Sequence, residues 1–404
     1  MEEYKPKFVF ASDAFKGTLS AEQTAALLGE AAKKMFPDCI CLSAPVADGG
    51  EGTVQAVIRA TGGSLVPVRV HDPYMEEIDS FYGKIDEQHA IVAAADASGL
   101  CLLPHDRRNP FFTTSYGTGE LIRAALDAGF RDISIAAGGC AANDGGMGCL
   151  TALGVRFLNK QGEALRGIGA NLREVNSIDK SGLHPAVKDC HFTVLCDVEA
   201  PLCGPEGTTR SFGKKKGGTR QMLDELERGM ENYAAVLDQS FMPDQRSGGT
   251  PGTSVRELEG GGAAGGLAAA LCCMLGAKLK KGVDAVLDLT GFDETIRDAD
   301  CVITGEGKAD RTSVYGKVMS GVGRRSHAQG IPVFAIVGSI GPGADDIYAC
   351  GVDSMITTID RAMPIEEALE QAESLYRNAA DRLMRILRVG YDVCIQHISA
   401  HKAG

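Results

Sequence analysis

The stretch AAGGCAANDGGMGCLTALG at residues 136–154 decides how this chain is read. It follows a short apolar run at 133–136 with the character of a strand, and it leads into a helical pattern carrying Met147, Leu150 and Leu153. Gly138, Gly139 and the glycines after them therefore lie at a strand-to-helix turn. There the lack of a side chain lets backbone approach a ligand closely, and the helix start offers N–H groups to a phosphate or carboxylate. Asn143 and Asp144 stand inside the turn, where they either cap the helix or hold a ligand hydroxyl or a magnesium ion. By itself the stretch is equally well a tight capped turn. Its recurrence along the chain shifts the balance toward a ligand.

Towards the N-terminus, a β-rich run at 7–11 leads into SDAFKGTLSAEQ (12–23), where Ser20 and Gln23 form a capping box for an amphipathic helix reaching about Phe36. Lys16 falls in the loop after this first strand, at the edge where open α/β sheets bind ligands, although a solvated lysine has the same signature. A second strand at 39–43 ends in PVADGGEGT, which opens a helix burying Val54, Val57 and Ile58. Asp48 and Glu51 flank these glycines, either as caps or as groups that recruit a cation or substrate hydroxyls. From about Gly63, strands at 64–71, 79–84 and 89–94 follow closely with no helix between them, the pattern of an antiparallel sheet. The next loop carries Arg107 and Arg108, residues suited to a carboxylate, and the helix after it begins among Thr114, Ser115 and Thr118.

Beyond the central turn, a strand at 192–196 ends at Asp197, and a loop rich in Gly, Pro and Lys occupies 199–218. A helix at 221–237 and a polar connection at 243–254 precede GGGAAGGLAAAL (260–271), which holds Gly265 and has the composition of a closely packed interior helix. After Gly282 strands and helices alternate again: a strand at 301–304, then GEGKADRTSVYGK (305–317) with Glu306, Asp310 and Lys317, strands at 332–337 and 354–357, and a long helix at 364–397. The two ends of the chain share one texture and the middle another. The expected architecture is α/β in two domains: a discontinuous doubly wound, flavodoxin- or Rossmann-like domain from 1–66 plus 285–404, and an inserted α/β domain with a mixed sheet at 67–284.

Composition narrows the function. A chain of 404 residues with 44% hydrophobic and 23% charged side chains is an ordinary globular balance, and a net charge of −12 without tryptophan speaks against a nucleic-acid surface. No membrane span is expected, since the uncharged tract at 260–277 is largely glycine and alanine. The acidic start MEEYKPKFVF and thirteen scattered cysteines without a C-x-x-C pair point to reduced thiols in the cytoplasm. Cys394, His397 and His401 have metal-binding spacing on one helix, but a frayed terminal helix accounts for them better.

No Walker loop, G-x-S-x-G, H-E-x-x-H or protein-kinase catalytic loop occurs. Gly305-Glu306-Gly307 lacks the third glycine of a dinucleotide fingerprint. The strand-end lysines and carboxylates suit magnesium-assisted phosphoryl transfer, where catalysis is mostly positioning and charge neutralisation. They do not name a substrate.

SDAFKGTLSAEQ, ADGGEGT (47–53), RNPFFTTSYGTGELI (108–122), GGCAANDGG (138–146), CDVEAPLCGP (196–205), GGAAGG (261–266) and ITGEGKAD (303–310), in this order, resemble the bacterial type I glycerate kinases, the glycerate 2-kinase class. The resemblance implies ATP-dependent phosphorylation of D-glycerate to 2-phosphoglycerate with Mg2+, in a cleft between two domains, by a monomer or homodimer. Asp197 and Lys16 are the expected catalytic residues. Ser12, Asp13, Lys16, Asp48, Glu51, Arg108, Thr118, Gly138, Gly139, Asn143, Asp144, Gly265, Glu306, Asp310 and Lys317 are expected to bind substrate or phosphate, and Asp197 and Glu306 to hold metal. The chain departs from the family pattern at Ala93, Cys140, Ala142, Ala200, Lys214, Lys215, Thr312 and Ser313. Two alternatives remain open: a kinase for another small hydroxy acid, and a non-catalytic sugar-acid-binding protein.

Overall fold

The run KFVFAS becomes the strand Lys7–Ser12, buried along nearly all its length, as a strand covered on both faces of a parallel sheet must be. Our computed structural model describes residues 5–15, 17–47, 49–50, 52–240, 254–314 and 317–402, with side chains as far as 394. In it this strand pairs in parallel with Ile40–Ser43 on one side and Cys301–Glu306 on the other, and the sheet continues through Val333–Val337 to Ser354–Thr357. Numbered along the unit, the order is 2-1-3-4-5, so the winding reverses between Lys7–Ser12 and Cys301–Glu306. Phe8, Phe10, Cys301, Ile303 and Ile336 bury against Leu27, Leu28, Tyr376 and Met384 from helices Ala21–Met35 and Ala372–Lys402, while helix Val318–Ala328 also packs on the sheet. The capping box is formed: Ser20 accepts from Gln23 N–H, and the Gln23 side chain accepts from Ser20 N–H.

The chain divides into two compact units, Met1–Asp48 with Val286–Gly404, and Gly49–Ala285. The first division precedes the one at 66/67 suggested by sequence texture, because helix Thr53–Thr61 belongs with the inserted unit. Its Ile58 lies so close to Gly83 of strand Glu77–Lys84 that a Cβ there would come within 2.7 Å. The second unit holds a six-stranded sheet in the order Lys278–Lys280, His191–Leu195, Asp132–Ala136, His89–Ala93, Glu77–Lys84, Ser64–His71. The first four run parallel and the last two join antiparallel, so the sheet is mixed. Helices Tyr116–Asp127, Arg220–Ser240 and Ala263–Leu275 enclose its core.

Two helical expectations change. The stretch expected as one terminal helix is two, Ile365–Glu370 and Ala372–Lys402. Cys394 is exposed on the second, and the side chains of His397 and His401 lie outside the described residues. Within Ala263–Leu275, residues Ala264, Gly265 and Gly266 have φ of 52°, 73° and 95°, a left-handed turn where a continuous helix was expected.

Candidate functional site

In the inserted unit the central turn is built from within. The Asp144 carboxylate, fully buried, accepts from Ser115 N–H at 2.8 Å, the Ser115 hydroxyl at 2.8 Å, Gly146 N–H at 3.0 Å and Gly148 N–H at 3.1 Å. The Ser115 hydroxyl in turn accepts from Cys149 N–H. The anion at the start of helix Met147–Ala152 is thus Asp144 itself, and the N–H groups that the sequence offered to a ligand are spent on the turn. Burial pushes the Asp144 carboxyl above its ordinary range despite these donors. The glycines are also used internally: a Cβ on Gly138 would stand 2.6 Å from the Gly50 Cα. Gly139 keeps a φ of 73° and accepts from Leu100 N–H. Thr118, expected to touch ligand, is buried in its helix with its hydroxyl donating to Ser98 at 2.8 Å.

Asn143 faces a different set of groups. Its Nδ2 donates to Thr209 Oγ1 at 3.1 Å, while its buried Oδ1 has no hydrogen-bond partner among the described residues. The left-handed turn packs directly on it: a Cβ on Gly265 would be 2.1 Å from Ala142 O, and Gly265 O accepts from Gly145 N–H. Lys216, absent from the sequence expectations, enters the same place, donating to Ala142 O at 2.5 Å. Its burial lowers its pKa, against the opposing influence of Cys140 and Asp144. The one sequence signal was the run of three lysines at 214–216, which has the composition of a solvated loop. Arg108 lies half-buried with its guanidinium on the Leu103 and Leu100 carbonyls, each at 3.4 Å. Asp197 stands just past strand His191–Leu195, and its Oδ1 accepts from Gly282 N–H at 2.7 Å.

The other unit gathers its residues at the reversal point of its sheet. Ser12 ends the first strand beside Gly305, and Asp13 N–H donates to Gly305 O while Asp13 Oδ1 accepts from Ala14 N–H. Glu306, at the end of the neighbouring strand, accepts from the Ser313 hydroxyl and lies 3.4 Å from Lys317 Nζ, so protein donors engage both of its oxygens. Burial raises its pKa, and Ser313 and Lys317 oppose the rise. Lys317 precedes helix Val318–Ala328. Asp310 binds the Thr312 hydroxyl and N–H and pairs with Lys308 at 3.2 Å. Lys16, Asp48 and Glu51 lie outside the described residues. Among the described residues, no three His, Cys, Asp or Glu side chains gather as a metal cage, and no helix is long and apolar enough to cross a membrane.

A flavodoxin-ordered unit from both chain ends and a mixed-sheet insert define a two-unit α/β protein with lysine–carboxylate contacts at its strand-end turns. The model of the glycerate kinase family matches residues 8–388, and the chain belongs to that family. It is 41% identical over 377 residues to a glycerate kinase of Bacillus subtilis (strain 168), covering 93% of this chain and 96% of that protein. It is 38% identical over 385 residues to a glycerate 2-kinase of Escherichia coli (strain K12), covering 95% and 98%. A crystal structure from Salmonella typhimurium LT2, described as glycerate kinase 2, superposes with a TM-score of 0.82 at 38% identity over 96% of this chain and 100% of that chain.

Proposed function

We propose that this chain is a glycerate kinase that transfers the γ-phosphoryl group of ATP to D-glycerate and forms 2-phosphoglycerate. The observation that carries this reading is the family match along residues 8–388, together with relatives of matching length named glycerate kinase and glycerate 2-kinase. The residues suit such chemistry. Phosphoryl transfer asks a protein mainly to position two substrates and neutralise charge, and Lys317, Lys216 and Arg108 are cations in loops and turns, each held by a protein acceptor. Thirteen free thiols fit a reducing compartment, which supports the cytoplasm as its place of action.

Magnesium fits this residue set as an ion brought with the nucleotide. It keeps several waters and needs only one or two carboxylates besides the phosphates, so the lack of a three-ligand cluster among the described residues is no obstacle. When bound, it would neutralise phosphate charge. Asp197 is the carboxylate we assign either to that ion or to the proton of the attacking hydroxyl. Glu306 serves better as the anchor of Lys317 than as a metal ligand, because Ser313 and Lys317 already occupy it. Regiochemistry is tested by adding enolase directly to the product. Consumption without a mutase supports the 2-phosphate, and resistance would point to the 3-phosphate.

A further inference from the structure

In the tract KKKGG, Lys214 and Lys215 are exposed, yet only 5% of Lys216 is accessible. Its ammonium touches the Ala142 carbonyl, and among the described residues it makes no ion pair. The acidic groups that face it are Cys140 and Asp144, and both Asp144 oxygens already carry donors from Ser115, Gly146 and Gly148. A buried cation satisfied by a single carbonyl is costly unless an anion joins it. The backbone of Arg108 packs on the same tract, since a Cβ on Gly217 would lie 2.1 Å from Arg108 O, while its guanidinium donates to the Leu100 and Leu103 carbonyls.

The neighbouring polar atoms say which anion. Asn143 Oδ1 and Thr208 Oγ1 are buried without hydrogen-bond partners among the described residues, and the adjoining Thr209 hydroxyl holds the Asn143 amide nitrogen. An amide oxygen only accepts hydrogen bonds. Nucleotide phosphates near neutral pH are acceptors too, so they would leave Oδ1 unsatisfied. A hydroxy acid brings both groups required, a carboxylate for the ammonium and a hydroxyl donor for Oδ1.

We propose that Lys216 and Asn143 form the acceptor subsite of the inserted unit, Lys216 binding the carboxylate of the hydroxy acid and Asn143 Oδ1 accepting a hydrogen bond from its hydroxyl. The assignment rests on the glycerate kinase reading and adds the residue that selects an acid over a neutral polyol.

The test compares the parent with Lys216→Met, using D-glycerate and its uncharged counterpart glycerol as acceptors. In Lys216→Met, KM for D-glycerate is expected to rise about tenfold or more, the loss of a charge-assisted hydrogen bond, while KM for ATP and turnover of glycerol stay within about twofold. The preference for the acid then collapses. An unchanged KM for D-glycerate overturns the proposal. So does a matching rise in KM for ATP, which would give the cation to nucleotide phosphate, or an equal loss on both acceptors, which would make Lys216 a structural staple. If Lys216→Met does not fold, Asn143→Ala decides on the same panel: a raised KM for D-glycerate with a parental KM for ATP supports the subsite, and a parental KM for the acid overturns it. A parent that phosphorylates a different hydroxy acid corrects the substrate alone, and the comparison is then made with that acid and its neutral alcohol. A parent inert towards every acid overturns both readings.

Discussion

Asp197 leaves the sheet where strand His191–Leu195 ends, and the Gly282 N–H fixes one of its oxygens. An Asp held this way can take a proton or help hold a cation without moving. Asp197→Asn keeps the shape and removes the charge. If Asp197 is the base, kcat should fall by about 10²–10⁴-fold with an unchanged magnesium requirement; if it is a metal ligand, the magnesium requirement should rise. Parental behaviour in both would return Asp197 to capping its own turn. Asp310 provides a titration test. The Thr312 hydroxyl and N–H, with Lys308, hold its carboxyl down from 3.8 to about 2. The unfolded chain therefore takes up this proton first, so the stability Asp310 contributes is complete above about pH 4 and is lost as pH falls towards 2. Urea midpoints of the parent should fall across that window more steeply than those of Asp310→Asn, and parallel slopes would contradict the assignment. At this scale the sequence showed where the glycine turns lie but not what each side chain does there. Asn143 and Asp144 are neighbours with the same propensities; only the arrival of Thr209 at Asn143 and of Ser115 at Asp144 separates an amide with an unpartnered oxygen among the described residues from a helix cap. Lys216 was hidden for the same reason, since a run of lysines has the composition of a solvated loop until the fold buries one of them.

The element that departs most from its sequence pattern is GGGAAGGLAAAL. Alanine and glycine run together there, and local propensity favours a helix through all the alanines. The chain instead makes a left-handed turn at Ala264–Gly266 before the helix proceeds, because the turn must pass over Ala142 and Asn143, where a Cβ at Gly265 does not fit. That contact spans more than a hundred residues of sequence, so no local pattern announces it. Two substitutions should move stability in opposite directions. Ala264 has a φ of 52°, a conformation costing an L-residue roughly 1–2 kcal/mol, so Ala264→Gly should stabilise the chain by up to about 1 kcal/mol after the added freedom of the unfolded glycine is counted. Gly265→Ala has φ at 73° and meets Ala142 O, and should destabilise by about 2 kcal/mol or more. Urea unfolding of the pair decides; shifts of the same sign would contradict the described turn.

For the whole molecule, periodicity carried far. Alternating strands and helices at both ends of the chain become one parallel sheet, and the close-spaced strands of the middle become the antiparallel edge of a mixed sheet. Strand order was not legible, because each apolar strand suits any neighbour and the choice is made by crossovers and helix packing. The boundary after the second strand was misplaced for a related reason: helix Thr53–Thr61 has the texture of the first unit, yet its buried face meets Gly83 of the insert. The glycerate kinase reading is tested most directly by coupled detection of ADP release from the full chain with ATP and magnesium over a panel of small hydroxy acids. Turnover with D-glycerate above every other acid is the predicted result. ADP release absent with D-glycerate and present with a different acid would contradict the substrate, and ADP release absent with all of them would contradict the kinase.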